Sequence, residues 1–229
     1  MPERISIIVP VFNEAATIAA VIARLQTIDL PAPREIIVIN DGSSDGTRAA
    51  LDRLTGQAPD IIVMHTIENR GKGHAVRLGF ARATGSIVAI QDADLELDPA
   101  QLAELVGPIL SRDTAVVFGS RFLGSRPEAP AITLAANRVL TWITNRIYRS
   151  QLTDMETCYK IMRTDVARSL PLTANRFDIE PEITAQLLRN GHRIQELPVR
   201  FSPRSRAAGK KIGWRDGLAA IAVLVRLRP

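Results

Sequence analysis

A single cysteine, Cys158, stands in a chain of 229 residues. One thiol cannot build an internal disulfide framework, which fits a reducing cytosol, and the residue reads as a small buried apolar side chain rather than a nucleophile. Histidine is nearly as scarce. His65, His74 and His192 have neither metal-ligand spacing nor an evident nucleophile partner, so they read as ordinary surface or core residues. Aromatics make up 4% of the chain, and none is interleaved with basic residues as a stacking motif. That argues against a nucleic-acid-binding module, although the net charge of +5 and a pI of about 10.0 admit an anionic partner. Long hydrophobic runs are missing too. The longest, GLAAIAVLV at 217–225, is far short of the roughly 20 residues a spanning helix needs. The opening MPERISIIVP has no signal core with a cleavage site. The expectation is a cytoplasmic protein with no membrane span, free to lie on the cytoplasmic face of a membrane.

What remains is ordinary globular material, 46% hydrophobic and 23% charged. Short β-branched runs at 5–11, 35–40, 61–66, 86–91 and 115–120 read as strands, with helix-like stretches at 14–26, 45–55, 73–83 and 99–112 between them. Near-continuous apolar strands separated by helices imply an α/β fold, a mostly parallel central sheet with helices on both faces. Ligands bind at the carboxyl ends of such strands. Nearly every polar cluster of this half falls there: PVFNE, NDGSSDGT, ENRGKG, QDADLE and GSR. The second half reads as an amphipathic helix at 131–149, the segment TDMETCYKIMR, a helix near 178–190, a strand near 193–201, the basic loop SPRSRAAGKK and a closing helix at 212–228. One domain with a C-terminal amphipathic helical elaboration is the economical division: 1–210, then a helix at 211–229 that either packs or lies at an interface.

Three clusters carry chemistry. In NDGSSDGT, Asp41 and Asp45 offer carboxylates to ring nitrogens or ribose hydroxyls, while Asp45 or Ser44 equally suits an N-cap for the following helix. NRGKGHAVRLG (69–79) joins glycines to Arg70 and Lys72 before a helix, apt for a diphosphate or sugar, but its spacing matches neither a P-loop nor GxGxxG. QDADLE follows the apolar SIVAI directly. If the strand runs on, Asp92, Asp94 and Glu96 alternate and share one side, where they would need a cation among them. Hard oxygen ligands favour Mg²⁺ or Mn²⁺, completed by phosphate oxygens. Asp98, ahead of Pro99, reads instead as a helix cap.

The ordered set PVFNE, NDGSSDGT, NRGKGHAV, QDADLELDP, GSRF, TDMETCYK and Arg-x-x-Gly-Lys-Lys resembles family 2 glycosyltransferases, in particular the dolichol-phosphate mannose synthase-like, polyprenyl-phosphate branch. The resemblance implies a GT-A fold and an inverting, metal-dependent transfer of a hexose from a nucleotide-sugar, GDP-mannose or UDP-glucose, to a polyprenyl or dolichyl phosphate. It implies that Pro10, Val11, Asn13 and Glu14 hold the nucleotide, with Asp41 on base and ribose, Asp45 nearby and Lys72 on the same loop system. Asp92 and Asp94 take the place of the DxD pair and Glu96 that of a further metal contact. Arg121 and Arg138 stand where acceptor phosphate is received, and Arg206, followed by Lys210 and Lys211, where a loop arginine clamps the donor diphosphate. TDMETCYK departs from the DPxSGF form of better-known mannose synthases, which leaves Asp154 and Glu156 as acceptor-side candidates. Many relatives also carry C-terminal transmembrane helices, absent from this sequence.

An anionic acceptor phosphate needs cationic positioning rather than a base; a sugar or polysaccharide hydroxyl needs one, and Asp154 or Glu156 would serve. Phe177, Asp178 and Glu180 in NRFDIEPEI extend the acceptor side by the same resemblance, or Asp178 caps its helix. A nucleotidyltransferase would place a Gly-rich basic loop after the first strand, where this chain has PVFNEAAT. From Val199 to Pro229 there are eight basic residues against one acid, Asp216, and Trp142, Tyr148 and Trp214 accompany the two apolar, cationic helices. This pattern fits a membrane surface, with packing on the sheet, on a second subunit or on a membrane-protein partner as the alternatives.

Overall fold

Isoleucine and valine dominate the strand runs because a strand covered on both faces has no polar side. In the computed structural model, which describes residues 3–55, 58–124, 129–203 and 214–229 (the last with only the backbone of Trp214 and Arg215), those runs become β1 (Ile5–Val11), β2 (Arg34–Asn40), β3 (Ile61–His65), β4 (Ile87–Ile90) and β5 (Val116–Ser120). Helices α1 (Ile18–Thr27), α2 (Thr47–Leu54), α3 (Lys72–Arg82) and α4 (Leu102–Leu110) alternate with them. The remainder is α5 (Ala131–Tyr148), β6 (Lys160–Arg163), α6 (Thr164–Ser169), α7 (Ile179–Arg189), β7 (Gln195–Pro198) and α8 (Trp214–Arg226).

The sheet order is β3-β2-β1-β4-β6-β5-β7. β1 pairs in parallel with β2 on one side and β4 on the other, so the order reverses at β1 and leaves a crevice at the carboxyl ends of β1 and β4. β6 alone runs backwards, antiparallel to both β4 and β5. Its first residue, Lys160, therefore enters the sheet at the rim where the parallel strands end, and the segment 153–159 is delivered to that rim. β6 and α6 have no counterpart in the sequence pattern: KIMR is four residues long with a cation at each end, which masks a strand. The other differences are trimmed ends. The region 99–112 opens as a 3-10 turn, Pro99–Gln101, and the Asp98 side chain accepts from the Ala100 N–H at 3.2 Å, as expected of its cap.

Side chains of β1 alternate between two cores. Ile5, Ile7, Val9 and Val11 face α1 and α4, while Ile8 faces α3 and α7. A third cluster joins Leu140 of α5 and Ala185 of α7 to Ala220 and Leu224 of α8. The closing helix is thus packed on one side, while Leu218 and Val225 remain exposed. No helix among the described residues is long and apolar enough to cross a membrane.

Candidate active site

The loops leaving β1, β2 and β4 are tied together by short polar side chains. The Asn13 N–H donates to Ser43 Oγ at 2.9 Å, and Asn13 Oδ1 accepts from the Ser44 N–H at 2.8 Å. The Glu14 N–H donates to Thr47 Oγ1 at 2.8 Å, and Thr17 Oγ1 reaches both Glu14 Oε2 and the Ala93 carbonyl. Pro10 and Val11 are buried in β1. The Val11 carbonyl accepts from the Asp41 N–H at 2.9 Å, so it sets the position of Asp41 by its backbone.

Asp41 ends β2 almost wholly buried. Its carboxylate accepts from the N–H groups of Arg70 and Gly71, the latter at 2.6 Å, and lies 3.5 Å from His74 Nδ1. Gly71 has φ of 103° and abuts Asn175, a conformation and a space that a side chain would not fit. Asp41 thereby anchors the glycine loop, beside a cavity of about 450 Å³ lined by Thr66, Ile67, Glu68, Arg70 and His74. Asp45 accepts from the Thr47 and Ala15 N–H groups at 2.9 and 3.2 Å. Burial pushes its pKa up, but these hydrogen bonds outweigh it and hold the carboxyl below its ordinary value. Thr47 is the first residue of α2, so Asp45 supports that helix from just outside Gly46, the residue at the cap.

The expected alternation of three acids is not formed. β4 stops at Ile90, residues 93–96 turn, and Leu95 has φ of 62°, so 92, 94 and 96 do not lie along one strand face. Among the described residues no three carboxylates, histidines or cysteines form a group able to hold a metal. Asp94 Oδ1 accepts from the Glu96 N–H at 3.1 Å, and Glu96 ties its carbonyl to the Ser202 N–H. The Glu96 backbone thus helps shape the turn. The pair Asp92 and Asp94 still fits a hard divalent cation, because Mg²⁺-type sites use one or two carboxylates and take their other ligands from substrate phosphates and water.

Lys72, first residue of α3, faces Asp92. Its ammonium sits 2.7 Å from Asp92 Oδ1 and 2.8 Å from Glu180 Oε1, and Lys160 reaches Glu180 Oε2 at 2.6 Å. Burial opposes the charge on Lys72, yet Asp92 and Glu180 raise its pKa well above the ordinary value. Burial likewise pushes Glu180 up, but Lys160 and Lys72 hold it below the usual carboxylate range. The family resemblance puts Glu180 on the acceptor side; in the structure it is an ion-pair hub. Asp178 stands at the N-cap of α7 but spends its carboxylate on the Arg176 N–H at 3.0 Å, not on the helix. Cys158 is buried as expected; burial first, then Asp92, pushes its thiol well above the ordinary value.

On the other flank Arg121, just past β5, grips fully buried Asp154 with Nε and Nη2, each at 2.7 Å. Burial opposes its charge, but Asp154 more than offsets this and raises its pKa. The guanidinium also stacks 5.4 Å from the Phe201 ring, and exposed Arg138 stands 5.6 Å from the ring of Phe122, the residue that follows Arg121 in the chain. Glu196 accepts from the N–H groups of Thr153 and Asp154 and so holds that segment. Glu156 lies amid these charges with Oε1 sheltered and without a hydrogen-bond partner among the described residues. Burial pushes its pKa up to about 7 against the pull of Lys160. Glu196 and Phe201 are not marked by any sequence motif, while Lys160 and Phe122 close the motifs TDMETCYK and GSRF without a role being assigned to them there. Arg206, Lys210, Lys211, the Trp214 side chain and the 210/211 boundary lie outside the described residues.

The chain as a whole has known relatives. The chain is similar to glycosyltransferase AglD of Haloferax volcanii, 28% identical over 87% of this chain but 33% of that protein, so it spans about a third of that relative's length. It is also similar to the undecaprenyl-phosphate mannosyltransferase of Micrococcus luteus, 28% identical over 96% of this chain and 92% of the relative. The polyprenol monophosphomannose synthase of Mycolicibacterium smegmatis is 27% identical over 92% and 82%. Among solved structures, glucosyl-3-phosphoglycerate synthase from Mycobacterium tuberculosis, in complex with Mn²⁺, UDP and phosphoglyceric acid, superposes with a TM-score of 0.76. It covers 98% of this chain and 78% of that one at 19% identity, a likeness of fold that establishes the GT-A architecture. Residues 6–170 match the description "Glycosyl transferase family 2", and the chain belongs to that family.

Proposed function

We propose that the protein transfers a hexose, with inversion, from a nucleotide-sugar to a polyprenyl phosphate at a membrane surface, using Mg²⁺ or Mn²⁺ held by Asp92 and Asp94. The observation that carries this is the placing of Asp92 and Asp94, just past β4, and of Arg121 clamped by Asp154, just past β5, at one rim of the sheet. The relatives named for undecaprenyl and polyprenol phosphates support the acceptor. The nucleoside would lie beside Asp41 in the cavity at Thr66, Glu68 and His74. A bound divalent cation would neutralise charge on the leaving diphosphate. By the family resemblance, Arg206 would add to this. On the acceptor side, the fork to Asp154 uses Nε and Nη2 of Arg121 and leaves Nη1 to phosphate, with exposed Arg138 over the ring of the adjoining Phe122 as a second cation. The acceptor phosphate is already anionic, so these groups orient it and need not deprotonate it.

One observation favours a second acceptor class. Glu156 is sheltered, has no hydrogen-bond partner on Oε1 among the described residues, and has its pKa pushed up to about 7, as a base for a hydroxyl acceptor would. Radiolabelled nucleotide-sugars, offered with polyprenyl phosphate or with soluble glycans, separate the two. Transfer into the lipid phase, with Glu156→Gln within about threefold of wild type, is the expected result. Label that enters only soluble glycans, at a rate rising with pH through about 7 in wild type and lost by about a hundredfold in Glu156→Gln, would establish the hydroxyl acceptor instead.

The membrane surface rests on α5 and α8. Ile132, Val139 and Trp142 recur along α5 at helical spacing and are 74%, 54% and 63% exposed. α5 contains no acid, and exposed Arg138, Arg146 and Arg149 accompany the stripe. α8 lies alongside, joined by the hydrogen bond from Tyr148 Oη to the Leu224 carbonyl at 2.9 Å, and adds exposed Leu218 and Val225. Aromatic, aliphatic and arginine side chains on one outward face suit the headgroup boundary. Flotation with anionic vesicles should recover wild type in the lipid fraction. A Val139→Glu/Trp142→Glu protein should lose most of that binding, about tenfold or more, at unchanged melting temperature. Equal flotation of both would remove this face from the membrane.

A further inference from the structure

A row of alternating charges runs inward from the rim: Asp92, Lys72, Glu180, Lys160. Its inner end is rigid. The Lys160 ammonium is fully buried, donates to the carbonyls of Met155, at 3.0 Å, and Thr157 as well as to Glu180, and lies 4.8 Å from the Phe118 ring centre. Its outer member is held differently. Lys72 touches Asp92 Oδ1 and Glu180 Oε1 at 2.7 and 2.8 Å. Lys72 thus bridges the two carboxylates and is in contact with both, so its ammonium can settle on Glu180 alone while Lys160 stays fixed.

We infer that Lys72 is the resident cation of the Asp92 carboxylate and that Glu180, backed by Lys160, is a positioning residue that receives the ammonium when a divalent cation takes Asp92. This rests on the reading of Asp92 and Asp94 as the metal seat. A divalent ion and an ammonium cannot both contact one carboxylate oxygen without strong repulsion, because both are cationic and the site is largely buried. Without Lys72, Asp92 would be an uncompensated charge before the metal arrives. Without Glu180, the displaced ammonium would have no counter-charge and would hold on to Asp92. Glu180 accordingly acts on metal binding through Lys72, not by touching metal or substrate.

The test is uptake of Mn²⁺ alone by the whole chain, read from the loss of the free-ion electron paramagnetic resonance signal. Lys72→Met should lower the half-saturating Mn²⁺ concentration by about tenfold, and Glu180→Gln should raise it by about tenfold. In the Lys72→Met background, Glu180→Gln should change it by less than about threefold, because the group through which it acts is gone. An equal cost of Glu180→Gln in both backgrounds would mean that Glu180 acts by its own field and would overturn the exchange. So would Lys72→Met with unchanged uptake. Should Lys72→Met not fold, Lys72→Gln, which keeps polarity and loses the charge, takes its place in the same cycle. Wild-type uptake that survives Asp94→Asn would overturn the metal seat itself, and is told apart because it needs neither Lys72 nor Glu180.

Discussion

Asp94→Ala is expected to slow hexose transfer by about a thousandfold or more while leaving the melting temperature within a few degrees of wild type. The size follows from the chemistry of departure. A leaving nucleoside diphosphate gathers charge as the sugar–phosphate bond breaks, and the Asp92/Asp94 pair is proposed to hold the cation that meets that charge. The small stability cost follows from the surroundings. Asp94 is half-buried, in a turn, where its side chain takes the Glu96 N–H; losing one such bond costs about 1 kcal/mol. Asp92→Ala would be a poorer experiment, because it also removes one of the two carboxylates that compensate Lys72, whose side chain is only 11% exposed. Asp94→Asn separates charge from shape, since the amide oxygen can still accept from Glu96, and should lose nearly as much rate as Asp94→Ala. Metal-dependent transfer at the wild-type rate in the alanine protein would show that Asp94 does not hold the cation.

The parallel half of the sheet was legible because apolar β-branched runs leave no other use for themselves than covered strands, and the polar clusters between them mark the carboxyl ends. Asp41, Asp92, Lys72 and Arg121 all lie on that rim. The details at the rim were less legible, for physical reasons. Alternation of Asp92, Asp94 and Glu96 holds only while the chain stays extended, and Leu95 in the left-handed region breaks it. Asp178 has the right position for a helix cap, but which N–H a carboxylate receives depends on the path of the preceding loop. Lys160 and Glu180 are twenty residues apart and meet only because β6 runs antiparallel between β4 and β5. A reversed four-residue strand leaves almost no trace in hydrophobic periodicity, so the charge row it creates could not be read from spacing.

The same reversal delivers Asp154 to Arg121, and Asp154→Asn is expected to destabilise the protein by about 3–5 kcal/mol. Asp154 is fully buried, and its two oxygens engage Nε and Nη2 of Arg121, with the Arg121 N–H as a third donor at 3.0 Å. An amide can accept on one side only and presents N–H groups to a cation on the other. Arg121 is mostly buried, so its charge would then lack compensation where water cannot supply it. For a domain of this size the cost corresponds to a fall of roughly 10 °C in melting temperature. Glu196 still holds the backbone of residues 153 and 154, so the loss stays local to the fork. Arg121→Lys tests the geometry separately: it keeps the charge and gives up the second parallel hydrogen bond, and should cost less stability than Asp154→Asn. Transfer should fall in both variants, because an arginine that is not clamped by Asp154 no longer presents Nη1 at a fixed place to the acceptor phosphate. An Asp154→Asn protein melting within 2 °C of wild type, by the conversion of about 2–4 °C per kcal/mol, would mean that the buried pair contributes little beyond orientation.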